Sequence, residues 1–207
     1  MNRIALKDLA KQQIAGNIGV FLLMHLAAYA ISAVLCIIPA VGALLGSVAA
    51  ILFEFSFVII FLALANGTLP EFKNIFDIFK NTNLCGNALL LEILISVFTF
   101  LWSLLLIVPG IIKGLSYSMA PYILAEKEYY ISSSDAIKES MEMMEGHKMD
   151  LFVLSLSFIG WFLLCGITCG IASIYVIPYY RATMVNFYNS IKEKPQEQSG
   201  YTSVILD

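Results

Sequence analysis

Charge is scarce in this chain. Only 13% of its 207 residues are charged, against about 25% in an ordinary soluble domain, and 59% are hydrophobic. No basic stripe interleaved with aromatics is present, so nucleic acid is not an expected partner. Cysteine is confined to Cys36, Cys85, Cys165 and Cys169, with no Cys-x-x-Cys pair and no histidine cluster beside them. That excludes the usual metal-ligand patterns, and the thiols read as small buried hydrophobes. Cys165 and Cys169 flank a turn, but positions four apart on a continuous helix are poorly disposed for a disulfide. The Gly-x-Ser-x-Gly elbow, the Walker loop, the zinc-helix motif and any compact acidic cluster are all missing. No enzyme activity, cofactor or metal is therefore expected.

What the chain does have is apolar blocks of bilayer length, about twenty residues each. The expected fold class is an all-α membrane protein with about six transmembrane helices. These form three hairpins, each preceded by a cytoplasmic amphipathic helix. Residues 4–15 give the first amphipathic segment, with Leu6, Leu9, Ala10 and Ile14 on one face and Lys7, Asp8 and Lys11 opposite. Spans are expected at 18–38 and 41–65. The first resembles a secretory signal, with Arg3, Lys7 and Lys11 ahead of it and Ala28-Tyr29-Ala30 as a small-x-small site. The apolar run continues to Ile38, which favours a retained span.

Thr68-Leu69-Pro70-Glu71 reads as a capping box that opens the second amphipathic segment, with Phe72, Ile75, Phe76 and Phe79 on its apolar side. Spans at 86–108 and 111–125 follow. The third amphipathic segment, 132–145, sets Ile137, Met141 and Met144 against Lys138, Glu139, Glu142 and Glu145. Its methionines suit either a flexible apolar ligand or membrane and helix contact. The last spans are expected at 149–165 and 170–191. One membrane domain, 1–192, thus divides into repeats 1–66, 67–127 and 128–192, with a polar tail at 193–207 expected to be mobile.

The repeat shows when glycines are aligned. Gly16-Asn17, Gly86-Asn87 and Gly146-His147 each close an amphipathic segment, and 23 positions after each glycine come Pro39, Pro109 and Cys169. Glycine supplies a left-handed helix stop that lets the chain turn into the membrane. In this arrangement Arg3, Lys7, Lys11, Lys73, Lys80, Lys127, Lys138, Lys148, Lys192 and Lys194 all fall on one side. The positive-inside rule makes that side, with both termini, cytoplasmic. Lys113 sits near the other surface and either snorkels or meets a headgroup.

The run Ile107-Val108-Pro109-Gly110-Ile111-Ile112-Lys113, then Tyr117-Ser118-Met119-Ala120-Pro121-Tyr122, is distinctive. So are Gly146-His147-Lys148, Asp150-Leu151-Phe152, Leu156-Ser157-Phe158-Ile159-Gly160-Trp161 and Pro178-Tyr179. Together they resemble the DUF975 family of bacterial integral membrane proteins. They are more distantly similar to the membrane domain attached to some glycerophosphodiester phosphodiesterases. The resemblance implies a multi-pass protein of a bacterial plasma membrane, with no established activity and no catalytic residues to carry over.

Polar side chains within apolar helices are candidate sites because burying them in lipid is costly. Four stand out: His25, Glu54, Glu92 and Arg181. A hairpin turning near Pro39-Ala40 puts His25 and Glu54 at one depth, either to share a proton or to fix the hairpin by a neutral hydrogen bond. Glu92 and Arg181 lie at matching depth and suggest an ion pair, either a gate for an anionic substrate or a permanent clasp. Pro121 and Pro178 are candidate kinks. Lys73, Lys80, His147 and Lys148 are candidate headgroup or partner contacts, while Asn87 and His147 also suit a capping role. Two functions follow. One is a non-catalytic module that organises membrane lipids or binds a membrane-protein partner or a second copy of itself. The other is a transporter or exporter subunit for a small amphipathic lipid or peptide.

Overall fold

The computed structural model describes residues 3–38, 41–127, 130–168 and 170–192, and among them every regular element is helical. The tail at 193–207, Pro39 and Cys169 lie outside the described residues. In chain order the elements begin with α1 (Arg3–Ile14), α2 (Ile18–Cys36) and α3 (Gly42–Ala65). A 3-10 helix (Phe72–Lys80) leads into α4 (Thr82–Leu105), α5 (Ile107–Tyr117) and α6 (Ala120–Lys127). Then come α7 (Ser133–Met143), α8 (Lys148–Leu156), α9 (Ile159–Ile167) and α10 (Ser173–Lys192).

Four segments are long and apolar enough to cross a bilayer: α2, α3, α4 over Thr82–Leu104, and the α8–α9 pair over Lys148–Ile167. They contain between 19 and 24 residues, roughly 28–36 Å at helical rise, which matches a hydrocarbon core of about 30 Å. These helices mark the chain as a membrane protein. The expected fourth span is divided between α5, of 11 residues, and α6, of 8. The expected sixth coincides with α10, which carries Arg181, Asn186, Asn189 and Lys192.

One core joins elements from α1 to α10. Its axis is α10, which buries Val176, Tyr179, the run from Ala182 to Tyr188, and Ile191. α1 lies along α10 and buries Ala10 and Ile14 there. Asn186 Nδ2 secures it by donating to Leu6 O (3.3 Å) and to Gln13 Oε1 (2.9 Å). The 3-10 helix docks on α3, with the rings of Phe76 and Phe79 edge-on to Phe53.

Two of the three glycine elbows occur as read from the sequence. Gly16 and Gly146 have φ of 82° and 78°, in the left-handed region where a Cβ is strained. Gly86 differs: it lies inside α4. The chain enters that helix earlier, where the Asn81 side chain accepts from Leu84 N at 3.0 Å and supplies the cap. Asn87 is likewise interior to α4 rather than a cap. The capping box of the 3-10 helix falls on Glu71 and Asn74, one turn later than Thr68 and Glu71. Nor does the α4–α5 turn lie at Pro109-Gly110. It is made by extended Leu106, and Pro109 sits in the first turn of α5, where its missing N–H does no harm.

Pro121 does not kink a continuous helix. The regular helical ladder stops at Ser118–Met119, and Pro121 falls in the first turn of α6. What permits the interruption comes from α7. The buried Ser140 hydroxyl donates to Ser116 O (2.7 Å) and accepts from Met119 N (3.2 Å), satisfying two groups that the broken ladder leaves open. Ser140→Ala is expected to destabilise the fold by about 1–3 kcal/mol, the cost of stranding buried backbone polar groups. Thermal unfolding in detergent measures it, and an unchanged midpoint would show that water takes over both bonds. Pro178 lies within an unbroken α10.

Candidate functional site

α2, α3, α4 and α10 contribute His25, Glu54, Glu92 and Arg181, the four polar residues singled out above, and electrostatic contacts link them into one neighbourhood. The pairing differs from the expected one. Arg181 Nη2 donates to Glu54 Oε2, so the ion pair joins α10 to α3, not to Glu92 on α4. The reason is rotational: α10 packs along α3 and turns Arg181 toward it, which a depth count along each helix does not reveal. The Arg181 guanidinium also stands 5.0 Å from the Phe57 ring centroid, a cation–π contact.

His25 stacks on that same Phe57, with centroids 3.9 Å apart and planes 22° from parallel. Its Nδ1 is 2.8 Å from Phe21 O. A carbonyl only accepts, so Nδ1 is the protonated nitrogen and Nε2 of the neutral ring is left with a lone pair. Nε2 is buried and has no hydrogen-bond partner. The matched depth of His25 and Glu54 holds to this extent: both line one crevice of about 30 Å³ between α2 and α3, with Ser32 and Phe57. That is room for about one water molecule. Glu92 stands near enough to feel the Glu54 charge. The group thus contains two carboxyls, one guanidinium and one imidazole with a free acceptor.

The surface candidates are placed less closely. Lys73 pairs with Glu71 at 2.7 Å and Lys80 with Asp77 at 2.6 Å. Hydrogen bonds from Asn74 and Lys80 hold the Asp77 carboxyl below its usual pKa. His147 occupies the N-cap position of α8 without a side-chain cap bond, and its Nδ1 is 3.7 Å from Asp150 Oδ2. Lys113 Nζ lies 5.1 Å over the Trp102 ring. Met144 is buried, and Met141 and Met143 pack beside the core. Cys36 is exposed, contrary to the buried reading, because it sits at the open end of α2. Cys85 follows the expectation more closely and donates to Ile78 O at 3.2 Å.

Sequence reasoning missed Lys7. Its ammonium donates to Ser157 O (3.3 Å), where α8 gives way to α9, and lies 4.3 Å over the Phe158 ring. Partial burial, then the nearby Lys11 charge, lowers the Lys7 pKa. α1 and α7 therefore both send a donor to an interrupted helix, although they are 130 residues apart in sequence. Helical spacing marked Lys7 as polar face, and nothing local identifies a carbonyl 150 residues away.

A family model described as "Protein of unknown function (DUF975)" matches residues 104–195. The matched segment runs from the end of α4 through α10, and it is similar to the same family that the motifs resemble. No curated protein and no solved structure matches the chain.

Proposed function

We propose that the chain is a non-catalytic, multi-pass module of a bacterial plasma membrane that organises lipid around itself. In this reading the α5–α6 pair and α10 complete six passes in three hairpins, with both termini cytoplasmic. The observation that carries it is the 3-10 helix. Phe72, Phe76 and Phe79 contact each other or Phe53 by ring edges, yet remain 45%, 36% and 43% exposed. Lys73 and Lys80 stand on the same nine-residue element. Exposed aromatic rings beside lysines suit the headgroup boundary, where apolar burial and attraction to anionic lipid add together.

Charge reversal tests it. Lys73→Glu, Lys80→Glu and Lys148→Glu are each expected to lower retention of phosphatidylglycerol by about fivefold. Native mass spectrometry of the full chain released from phosphatidylglycerol–phosphatidylcholine nanodiscs provides the count. Exposed ion pairs contribute little to stability, so the bundle should stay folded. Unchanged retention in all three variants would reject the proposal.

One observation favours a second reading, transport of a small amphipathic substrate. The unpartnered His25 Nε2 shares its crevice with the Glu54 carboxylate, an arrangement able to hold and pass a proton.

A further inference from the structure

A larger cavity, of about 360 Å³, opens at the other end of α3, within the range of about 300–1,000 Å³ common for small-molecule sites. It is bounded by the C-terminal turns of three helices: α3 ends at Ala65, α6 at Lys127 and α10 at Lys192. Helix C-termini carry partial negative charge and spare carbonyls, so their convergence favours a cation. Glu126 adds a full carboxylate to the wall, and Asn66 and Asn189 add amide groups. Ile59, Leu62 and Ala63 of α3 give the lining an aliphatic wall.

Glu126 is held in place for a partner. Tyr188 Oη donates to its Oε2 at 2.5 Å, and Lys192 Nζ donates to its Oε1. Burial acts to raise its pKa, but the bonds from Lys192 and Tyr188 outweigh burial and hold it below the usual value, so the group is ionised. Lys127, the other lysine at this end, is engaged by Glu139 at 2.6 Å. Lys192 is about half exposed, on a flexible stem at the end of α10. It can swing away without disturbing Tyr188.

We propose that this crevice binds an amphiphile with an aminoalkyl-phosphate head. The ligand ammonium replaces Lys192 on Glu126, and the released Lys192 takes the phosphate. A primary ammonium fits better than a quaternary one. Among the described residues the lining offers carboxylate and amide acceptors and no aromatic ring, whereas quaternary groups are held by aromatic faces. The aliphatic wall receives the start of the apolar tail. The same chemistry is available from a membrane lipid, phosphatidylethanolamine, or from free phosphoethanolamine. This site lies on other elements than the 3-10 helix and does not depend on its role.

The test uses the full chain in detergent with two defined lipids, dioleoyl phosphatidylethanolamine and dioleoyl phosphatidylglycerol, read by native mass spectrometry. The parent should retain the ethanolamine lipid, and Glu126→Gln should cut that retention about tenfold or more. Ala63→Leu, which fills the crevice and leaves every charge in place, should do the same, guarding against a folding defect in the first variant. Phosphatidylglycerol retention should be unaffected by both. Calorimetry with O-phosphoethanolamine separates the sources. Glu126-dependent binding of the free compound supports a soluble ligand, and its absence alongside lipid retention supports the membrane lipid. Full ethanolamine-lipid retention in both variants, or binding of neither that lipid nor O-phosphoethanolamine by the parent, overturns the proposal. Loss of phosphatidylglycerol in the surface-lysine variants would leave this result untouched, so the two proposals fail separately.

Discussion

Arg181→Ala should lower the stability of the bundle by about 3–5 kcal/mol, the range for breaking a desolvated ion pair from one side. The Arg181 side chain is only 19% exposed, and its removal leaves the Glu54 carboxylate on the apolar helix α3 without its cation. Glu54→Gln should cost less, because the Glu54 side chain is 56% exposed and the amide can still accept from the guanidinium. The double variant Glu54→Gln/Arg181→Gln should lose clearly less than the sum of the single changes. Unfolding titrations in mixed micelles provide the cycle. Strict additivity would mean that the two groups are not coupled, and the clasp between α3 and α10 would have to be abandoned. The same variants bear on the transport reading. Proton-coupled flux that keeps its pH dependence in Glu54→Gln would remove Glu54 from any proton path.

The second large effect is expected where α2 meets α3. A Cβ added at Gly42 would lie 2.6 Å from Cys36 O and 2.8 Å from Leu35 O, both backbone atoms that cannot swing aside. One added at Gly46 would lie 2.2 Å from Cys36 Sγ and 2.9 Å from Ser32 O. Gly42 and Gly46 are four apart on α3, the small-xxx-small spacing that lets membrane helices approach backbone to backbone. Gly42→Ala should therefore destabilise the hairpin by about 2–3 kcal/mol, the upper part of the overpacking range. Gly86→Ala is the control. Nothing lies within 4 Å of its Cβ position inside α4, so helix propensity alone predicts a gain of up to about 1 kcal/mol. Cys36→Ala should relieve part of the Gly46→Ala defect, since one of its clashes is with the thiol, and none of the Gly42→Ala defect. Rescue of both, or of neither, would show that the approach is set elsewhere.

Much of the fold can be read from the chain alone, because the features concerned are local. Apolar runs near twenty residues name the spans at α2, α3, α4 and α8–α9, since bilayer thickness and helical rise fix the length required. Gly16 and Gly146 stand where the sequence sets an elbow, because their left-handed φ is a property of one residue. Gly86 misled by analogy: its neighbours resemble the other two, but Asn81 had already capped the helix. The four polar residues of the membrane cluster were likewise recognisable singly, from polarity in an apolar context.

Which of them pair was decided only in three dimensions. Depth along a helix follows from counting residues, but Arg181 chooses between Glu54 and Glu92 by the rotation of α10 about its axis, and packing on α3 sets that rotation. The break at Ser118–Met119 has the same origin. Proline in a sequence points to a kink at Pro121, but a helix is cheaply interrupted where foreign donors and acceptors close its ladder, and here they come from Ser140 on α7. Lys7 at Ser157, and Glu126 between Tyr188 and Lys192, join residues between 62 and 150 positions apart. The sequence by itself determined length, apolarity and turning points, which depend on a residue and its near neighbours. Tertiary structure decided the partners, because a hydrogen bond or ion pair selects by ångström-scale distance, and separation along the chain carries no such information.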